Sequence, residues 1–172
     1  MSSHLPAVVV TTDAMAEEAR RTIASRDVVV LPGADARGNA KGAPAWGIGY
    51  SIAAGVAARP DASGWLILPA DMPLVQAATL ALVARHLDHH AVVYAQYQGR
   101  RGHPVGFSSE LYSELVSLQG DEGARRLVAR YPAHAVEVDD PGVLIDIDTE
   151  ADLVAARVAH ASRGASALDS NR

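Results

Sequence analysis

Cysteine is absent from this 172-residue chain, which removes disulfides, thiolate zinc sites and cysteine nucleophiles together. No window approaches the ~18 uninterrupted apolar residues of a membrane-spanning helix. The opening Met1-Ser-Ser-His-Leu-Pro6 lacks the basic and apolar regions of a secretory signal. A cytoplasmic protein without membrane contact is the expectation. Positive charge is not in excess either. The net charge of −5 argues against nucleic-acid binding, which needs a basic face for phosphates, and leaves room for a local basic pocket for one small anion. Internal repeats and interdomain linkers are lacking. With 49% apolar residues, the sequence is expected to form one domain over residues 1–161, followed by a small, polar, frayed tail over residues 162–172.

What is present is organised around Gly64-Trp-Leu-Ile-Leu-Pro-Ala-Asp-Met-Pro-Leu-Val75. The four large apolar residues Trp65 to Leu68 are too few for a helix and fit a strand buried on both faces of a parallel sheet. Pro69 and Pro73 stop the strand and fix the chain's direction. Asp71 stands between them, just past the strand's carboxyl end, where open α/β sheets place their ligands. A carboxylate there suits a magnesium–phosphate complex, and capping of the helix that begins near Gln76 is the equal alternative.

Before that stretch, residues 6–11 read as a buried strand and 14–25 as a helix, with early glutamates and late arginines matching the macrodipole. Val28 to Leu31 is a second strand, residues 32–47 a Gly/Pro loop, and Tyr50 to Ala58 a helix. After it, Gln76 to His89 is a helix with Leu80, Val83 and Leu87 on one stripe. Ala91 to Tyr97 is a strand, and the tight turn Gln98-Gly-Arg-Arg-Gly102 returns His103 to Phe107 as its antiparallel partner. Helices follow over residues 110–118 and 121–130, then a strand over 135–138 and a turn at Asp140-Pro-Gly142. Val143 to Ile147 reads as the last strand, and Thr149 with Asp152 as a capping box opening a final helix to about Ala161. Strands alternating with helices indicate an α/β layered domain with a mainly parallel sheet.

Asp146 and Asp148 would share one face of that last strand, with Ile145 and Ile147 on the other. Two aspartates on a buried strand are costly unless they meet solvent, a cation or hydrogen-bond donors. If this strand and the Asp71 strand end at the same edge, their carboxylates can converge on one magnesium ion, with phosphate oxygens completing the coordination. The plainer alternative is that Asp148 begins the final helix. Gly47-Ile-Gly49-Tyr-Ser51 matches neither a dinucleotide fingerprint nor a nucleophile elbow; it could let a nucleotide approach a helix start or merely serve packing. His86, His89 and His90 have a spacing that can bind a metal, yet read as a solvated cluster against the helix dipole. Arg100, Arg101 and His103 form the one concentrated positive patch, either a solvated hairpin tip or a seat for an anionic substrate.

Four segments, in order, resemble the MobA-like nucleotidyltransferases, and most closely the molybdenum cofactor cytidylyltransferases: Leu68-Pro-Ala-Asp-Met-Pro-Leu74, Tyr97-Gln-Gly-Arg-Arg-Gly-His-Pro-Val-Gly-Phe107, Gly120-Asp-Glu-Gly-Ala-Arg125 and Asp139-Asp-Pro-Gly-Val-Leu-Ile-Asp-Ile-Asp-Thr149. The resemblance implies a three-layer Rossmann-like fold of the nucleotide-diphospho-sugar transferase type, with an antiparallel hairpin. It also implies magnesium-dependent transfer of a nucleotidyl group from CTP, or another NTP, to a molybdopterin-type phosphorylated cofactor, with a molybdoenzyme as an onward partner. By that resemblance Asp71 and Asp148 are catalytic and metal-binding, with Asp146 their companion. Gly47, Ser51 and Ala70, with Asp71, lie near the nucleotide, and Arg100, Arg101, Gly102, His103 and Pro104 meet the acceptor. The acceptor phosphate, already ionised near neutral pH, needs no proton transfer from His103.

The sequence departs from the family at its start. The family opens with a strand running into a glycine-rich loop, followed by a lysine, that cradles the triphosphate. Here the first strand runs directly into Thr12-Asp13, and neither Arg37 nor Lys41 stands in the right context. Either the polypeptide begins further upstream, or neighbouring strands close the gap and catalysis is lost. The second function considered is therefore a non-catalytic module that binds a molybdopterin-like ligand or a partner protein. A third keeps the enzyme class and transfers the nucleotide to another small phosphate.

Overall fold

A computed structural model describes residues 5–32, 47–120 and 123–158. Most of the Gly/Pro loop, with Arg37 and Lys41, and the tail after residue 158 lie outside the described residues. Strand β1 (Val9–Thr12) leads straight into helix α1 (Asp13–Thr22), and β2 (Val28–Leu31) returns parallel to β1 with Val9 opposite Val28. Both strands are half-buried rather than buried, because this parallel pair stands apart as a two-stranded sheet.

Helix α2 (Ile48–Ala57) crosses to the larger sheet, made of β3 (Gly64–Ile67), β4 (Val92–Tyr97), β5 (Arg100–Ser108) and β6 (Ala133–Glu137) in the order β3-β5-β4-β6. β5 is antiparallel to both of its neighbours, and β4 is parallel to β6. β3, β4 and β6 therefore run in one direction and end at one rim. The expectation of a parallel ladder for β3 is corrected: its partner is β5, with Trp65 opposite Phe107, and among the described residues its other edge is unpaired. With one side open, burial on both faces fails as well, and Leu68 is 37% exposed. No ladder joins β1 to β3, so neighbouring strands do not close the gap among the described residues.

Alternation along the strands sorts two cores. Trp65, Val92, Val105 and Phe107 pack with Ile52 and Val56 of α2, Leu115 of α4 (Tyr112–Leu115) and Leu127 of α5 (Arg125–Arg130). Val93, Ala95 and Val136 face the other way, onto Val83 of α3 (Ala77–His86). Gly106 makes room on that second face: a Cβ there would stand 2.6 Å from Val93.

The predicted last strand is also corrected. Pro141–Leu144 forms a 3₁₀ turn, and residues 145–148 have no ladder partner among the described residues. The reason is local and steric. Asp140 turns back on the Gly142 N–H, Pro141 fixes its own φ, and Gly142 and Val143 are pressed against Leu74 and Gly102. The capping box is present. The Asp152 carboxylate accepts from the Thr149 N–H and hydroxyl at 2.9 and 2.6 Å, the Asp152 N–H donates back to that hydroxyl, and a final helix α6 is described over residues 150–158. No helix among the described residues is long and apolar enough to cross a membrane.

Candidate functional site: a groove at the carboxyl ends of the strands

The β4–β5 hairpin is closed by Gln98 and Gly99, both at positive φ (50° and 76°), the signature of a two-residue turn that follows the twist of the strands. Glu137 at the end of β6 braces it, accepting from the Gln98 N–H at 2.8 Å and from the Gln96 side chain at 2.9 Å. On β5 the register with β4 jumps between Tyr94 and Gln96, whose partners are Val105 and Arg101. Gly102, His103 and Pro104 form the resulting bulge, which accommodates a proline lacking an N–H inside a central strand. The His103–Pro104 peptide is cis. Gly102 is buried there, and a Cβ at this position would stand 2.2 Å from the Val143 carbonyl oxygen.

Successive residues point to opposite faces, and this splits the arginine pair. Both arginines are exposed, but Arg101 lies over the Tyr94 ring, 4.7 Å from its centroid, and lines a groove of about 1650 Å³, whereas Arg100 stands at the hairpin end outside that lining. The groove runs between β1 and β3 to the rim where β3 ends. Ser51, Ala70, Asp71, Gly102 and His103 line it as well. Gly47 is instead the N-cap of α2, and Gly49 is a packing glycine: its N–H donates to the Gly120 carbonyl at 2.9 Å, and a Cβ would press on residues 119–120. Pro104 is fully buried and serves the bulge.

The two aspartate segments meet. The Ile147 N–H donates to the Asp71 carbonyl at 2.8 Å, which lays residues 146–148 beside the loop after β3. Asp71, Asp146 and Asp148 are all exposed. Neither helix-capping alternative holds. The N-terminus of α3 is served by Asp140, and the final helix is capped by Thr149 with Asp152. The three carboxylates offer hard oxygen donors that fit a magnesium ion, although among the described residues they are not drawn into one tight cluster. Burial first, and the Arg101 cation second, hold His103 below the usual histidine range, with Asp71 pulling weakly the other way.

Three residues escaped the sequence reading. Asp140, only 1% exposed, accepts from the Gln76 N–H and the Thr79 hydroxyl, each at 2.8 Å, and from the Gly142 N–H at 3.0 Å. It ties α3 to the 3₁₀ turn and so places residues 145–148. The Asp-Pro-Gly signature announced its turn but not its distant partners. Arg125, at the end of a segment already singled out, lines the same groove as Asp71 as a further cation. His134, a lone histidine in the sequence, joins His86 and His90 on the far rim.

The MobA-like NTP transferase domain family matches residues 2–136 of the chain. Purine catabolism protein PucB of Bacillus subtilis (strain 168) is 41% identical over 109 residues, which are 60% of this chain and 52% of that protein, so the chain spans about half the length of this relative. The crystal structure of Rv0371c from Mycobacterium tuberculosis H37Rv superposes with a TM-score of 0.68 at 26% identity, covering 88% of this chain and 76% of that one. The Rv0371c complex with manganese gives 0.67 at 27%, covering 90% and 79%. A homologue from Mycobacterium sp. strain JC1, at 22% identity and a TM-score of 0.66 over 85% and 70%, shares the fold. The chain belongs to the MobA-like NTP transferase domain family.

Proposed function

We propose that the protein binds a nucleoside triphosphate, CTP in the first instance, in the groove beside β3. It transfers the nucleotidyl group to a molybdopterin-type phosphorylated small molecule in the cytoplasm, on a three-layer Rossmann-like frame. The observation that carries this reading is the Ile147 N–H bond to the Asp71 carbonyl, which brings the backbone on which Asp146 and Asp148 stand beside Asp71, itself part of a groove lined by Arg101 and His103. A relative crystallised with manganese, an ion of the same oxygen preference as magnesium, supports a divalent ion among these carboxylates.

Asp71 and Asp148 would hold the metal, with Asp146 next to them. Magnesium bound there would supply charge neutralisation for the triphosphate. The remaining work belongs to positioning. Ser51 and Ala70 line the groove on the nucleotide side, Arg101 holds the acceptor phosphate while Arg100, on the other face of β5, does not reach it, and neutral His103 adds a hydrogen-bonding ring beside Arg101. An oxygen of the acceptor phosphate attacks the α-phosphorus in line, the bond to the bridging oxygen breaks, and pyrophosphate departs with that electron pair. No proton need move, because the attacking phosphate is already ionised.

Calorimetry of CTP with magnesium tests this. Asp71→Asn should lower the affinity by at least about tenfold, the loss that even an outer-shell partner incurs. Unchanged affinity in that variant would overturn the reading. The edges of β1 and β3 along the groove, unpaired among the described residues, favour one other possibility, a binding module without turnover. It predicts acceptor binding with no pyrophosphate released from CTP.

A further inference from the structure

The rim opposite the groove holds a second constellation. α3 begins near Asp71's rim and runs back to His86, and the chain continues for one more turn, with the His90 N–H donating to the His86 carbonyl at 3.1 Å. His86 and His90 thus stand one above the other on a single face. β6 begins beside them. His134 pairs with Val93 and shares its side of the sheet, the side α3 covers. Two residues further along the same face, Val136 enters the apolar core. Residue 134 comes instead at the edge, where the helix ends and the cover of α3 stops.

The three rings are half-buried and stacked. His90 and His134 are parallel within 3° at 3.9 Å between centroids, and His86 lies 5.2 Å from His134. Each offers one ring nitrogen, and these nitrogens lie within 4.8 Å of one another. No hydrogen bond or ion pair engages any of the three rings among the described residues. The ring nitrogens are thus gathered from two elements far apart in sequence.

We propose that His86, His90 and His134 form a binding site for one divalent transition-metal ion of the imidazole-preferring class, zinc above all, separate from the nucleotide groove. Nitrogens bound to one zinc at about 2.05 Å stand about 3.3 Å apart, so binding requires the stacked rings to turn out of their parallel arrangement and draw together from the observed spacing. Three histidines leave the fourth tetrahedral position to water, on the solvent side of the rim. The ion clips the end of α3 to the start of β6 and closes the long segment between them, and its binding energy adds to the stability of the fold. Magnesium, which demands oxygen ligands, is not accepted there. The site does not depend on the nucleotidyl-transfer reading, because it shares no residue with the groove.

Titration of metal-free protein with zinc chloride, followed by calorimetry and by the thermal midpoint, tests the proposal. The expected result is one saturable equivalent per chain, a raised midpoint, and no competition from excess magnesium. His134→Gln and His90→Gln should each weaken zinc by at least about tenfold. His89→Gln, which alters an exposed neighbour, should leave it unchanged. If His134→Gln does not fold, His86→Gln at the helix end serves in its place, and cobalt substituted for zinc should show the visible absorption of a tetrahedral nitrogen site in the unaltered protein. Equal zinc affinity across the unaltered protein and the His86, His90 and His134 variants, or no saturable equivalent at all, overturns it.

Discussion

The backbone N–H of Ile147 donates to the carbonyl of Asp71 at 2.8 Å, so two acidic segments remote in sequence share one rim. If both carboxylates serve one ion, their effects on nucleotide binding cannot be independent. In a double-mutant cycle, Asp71→Asn and Asp148→Asn should show a coupling of about 1–3 kcal/mol in magnesium-dependent CTP affinity. The double variant then binds little worse than either single one. Additive losses would assign the two aspartates to separate roles.

Asp140 is a buried carboxylate held by three donors from two elements. Asp140→Ala leaves the Gln76 and Gly142 N–H groups and the Thr79 hydroxyl without this acceptor. Stability in urea should fall by about 2–4 kcal/mol. CTP affinity should fall with it even at temperatures where the variant remains folded, because the turn that places residues 145–148 is released. A variant as stable as the parent would show that the carboxylate contributes nothing net.

At Gly102 the obstacle is space rather than charge. A methyl group 2.2 Å from the Val143 carbonyl forces β5 away from the 3₁₀ turn. Gly102→Ala should lose about 1–3 kcal/mol by thermal or urea unfolding. Gly99→Ala meets nothing within 4 Å and carries only the cost of its positive φ, so it should lose less.

His103 gives a pH signature whose sign is fixed. Its folded value is lowered beneath the ordinary 6.5, by burial first and by Arg101 second, against the pull of Asp71. The unfolded chain therefore takes up this proton before the native one does, and stability is full above pH 6.5 and declines as the pH falls below it towards the native value. His90 acts in the same sense. His103→Gln should flatten part of that slope in urea titrations run between about pH 5 and pH 7.5, leaving the share of His90. An NMR titration placing His103 above 6.5 would reverse the sign.

Most elements were legible because their periodicity and punctuation are local. The turn expected over Gln98 to Gly102 is there but tighter, with β5 already begun at Arg100; Thr149 and Asp152 announce their capping box, and α3 its stripe. What was not legible depends on partners. Trp65 to Leu68 reads as a buried parallel strand because a run of apolar residues does not reveal which edge is paired; β5 doubling back between β3 and β4 is a tertiary choice. Val143 to Ile147 has strand composition, yet the Asp140–Pro141–Gly142 turn and the close approach of Gly102 leave it no ladder. Within the site, Asp71, Arg101 and His103 were visible as unusual residues at a strand end. Asp140 and His134 were not, since each has its meaning only through contacts with α3.

The separation of β1 and β2 from the larger sheet bears on how the molecule comes apart. That small unit touches the rest chiefly through α2, where Gly55 lets Val10 approach closely, and through Arg59, which pairs with Asp27 on one side and accepts from the Trp65 indole at 3.1 Å on the other. With no ladder bonds shared among the described residues, cooperativity across this seam is low, and β1, α1 and β2 form a unit that opens before the whole unfolds. Amides of β1 and β2 should exchange with deuterium, and the segment should yield to protease, under conditions in which β4 and β5 are still fully protected.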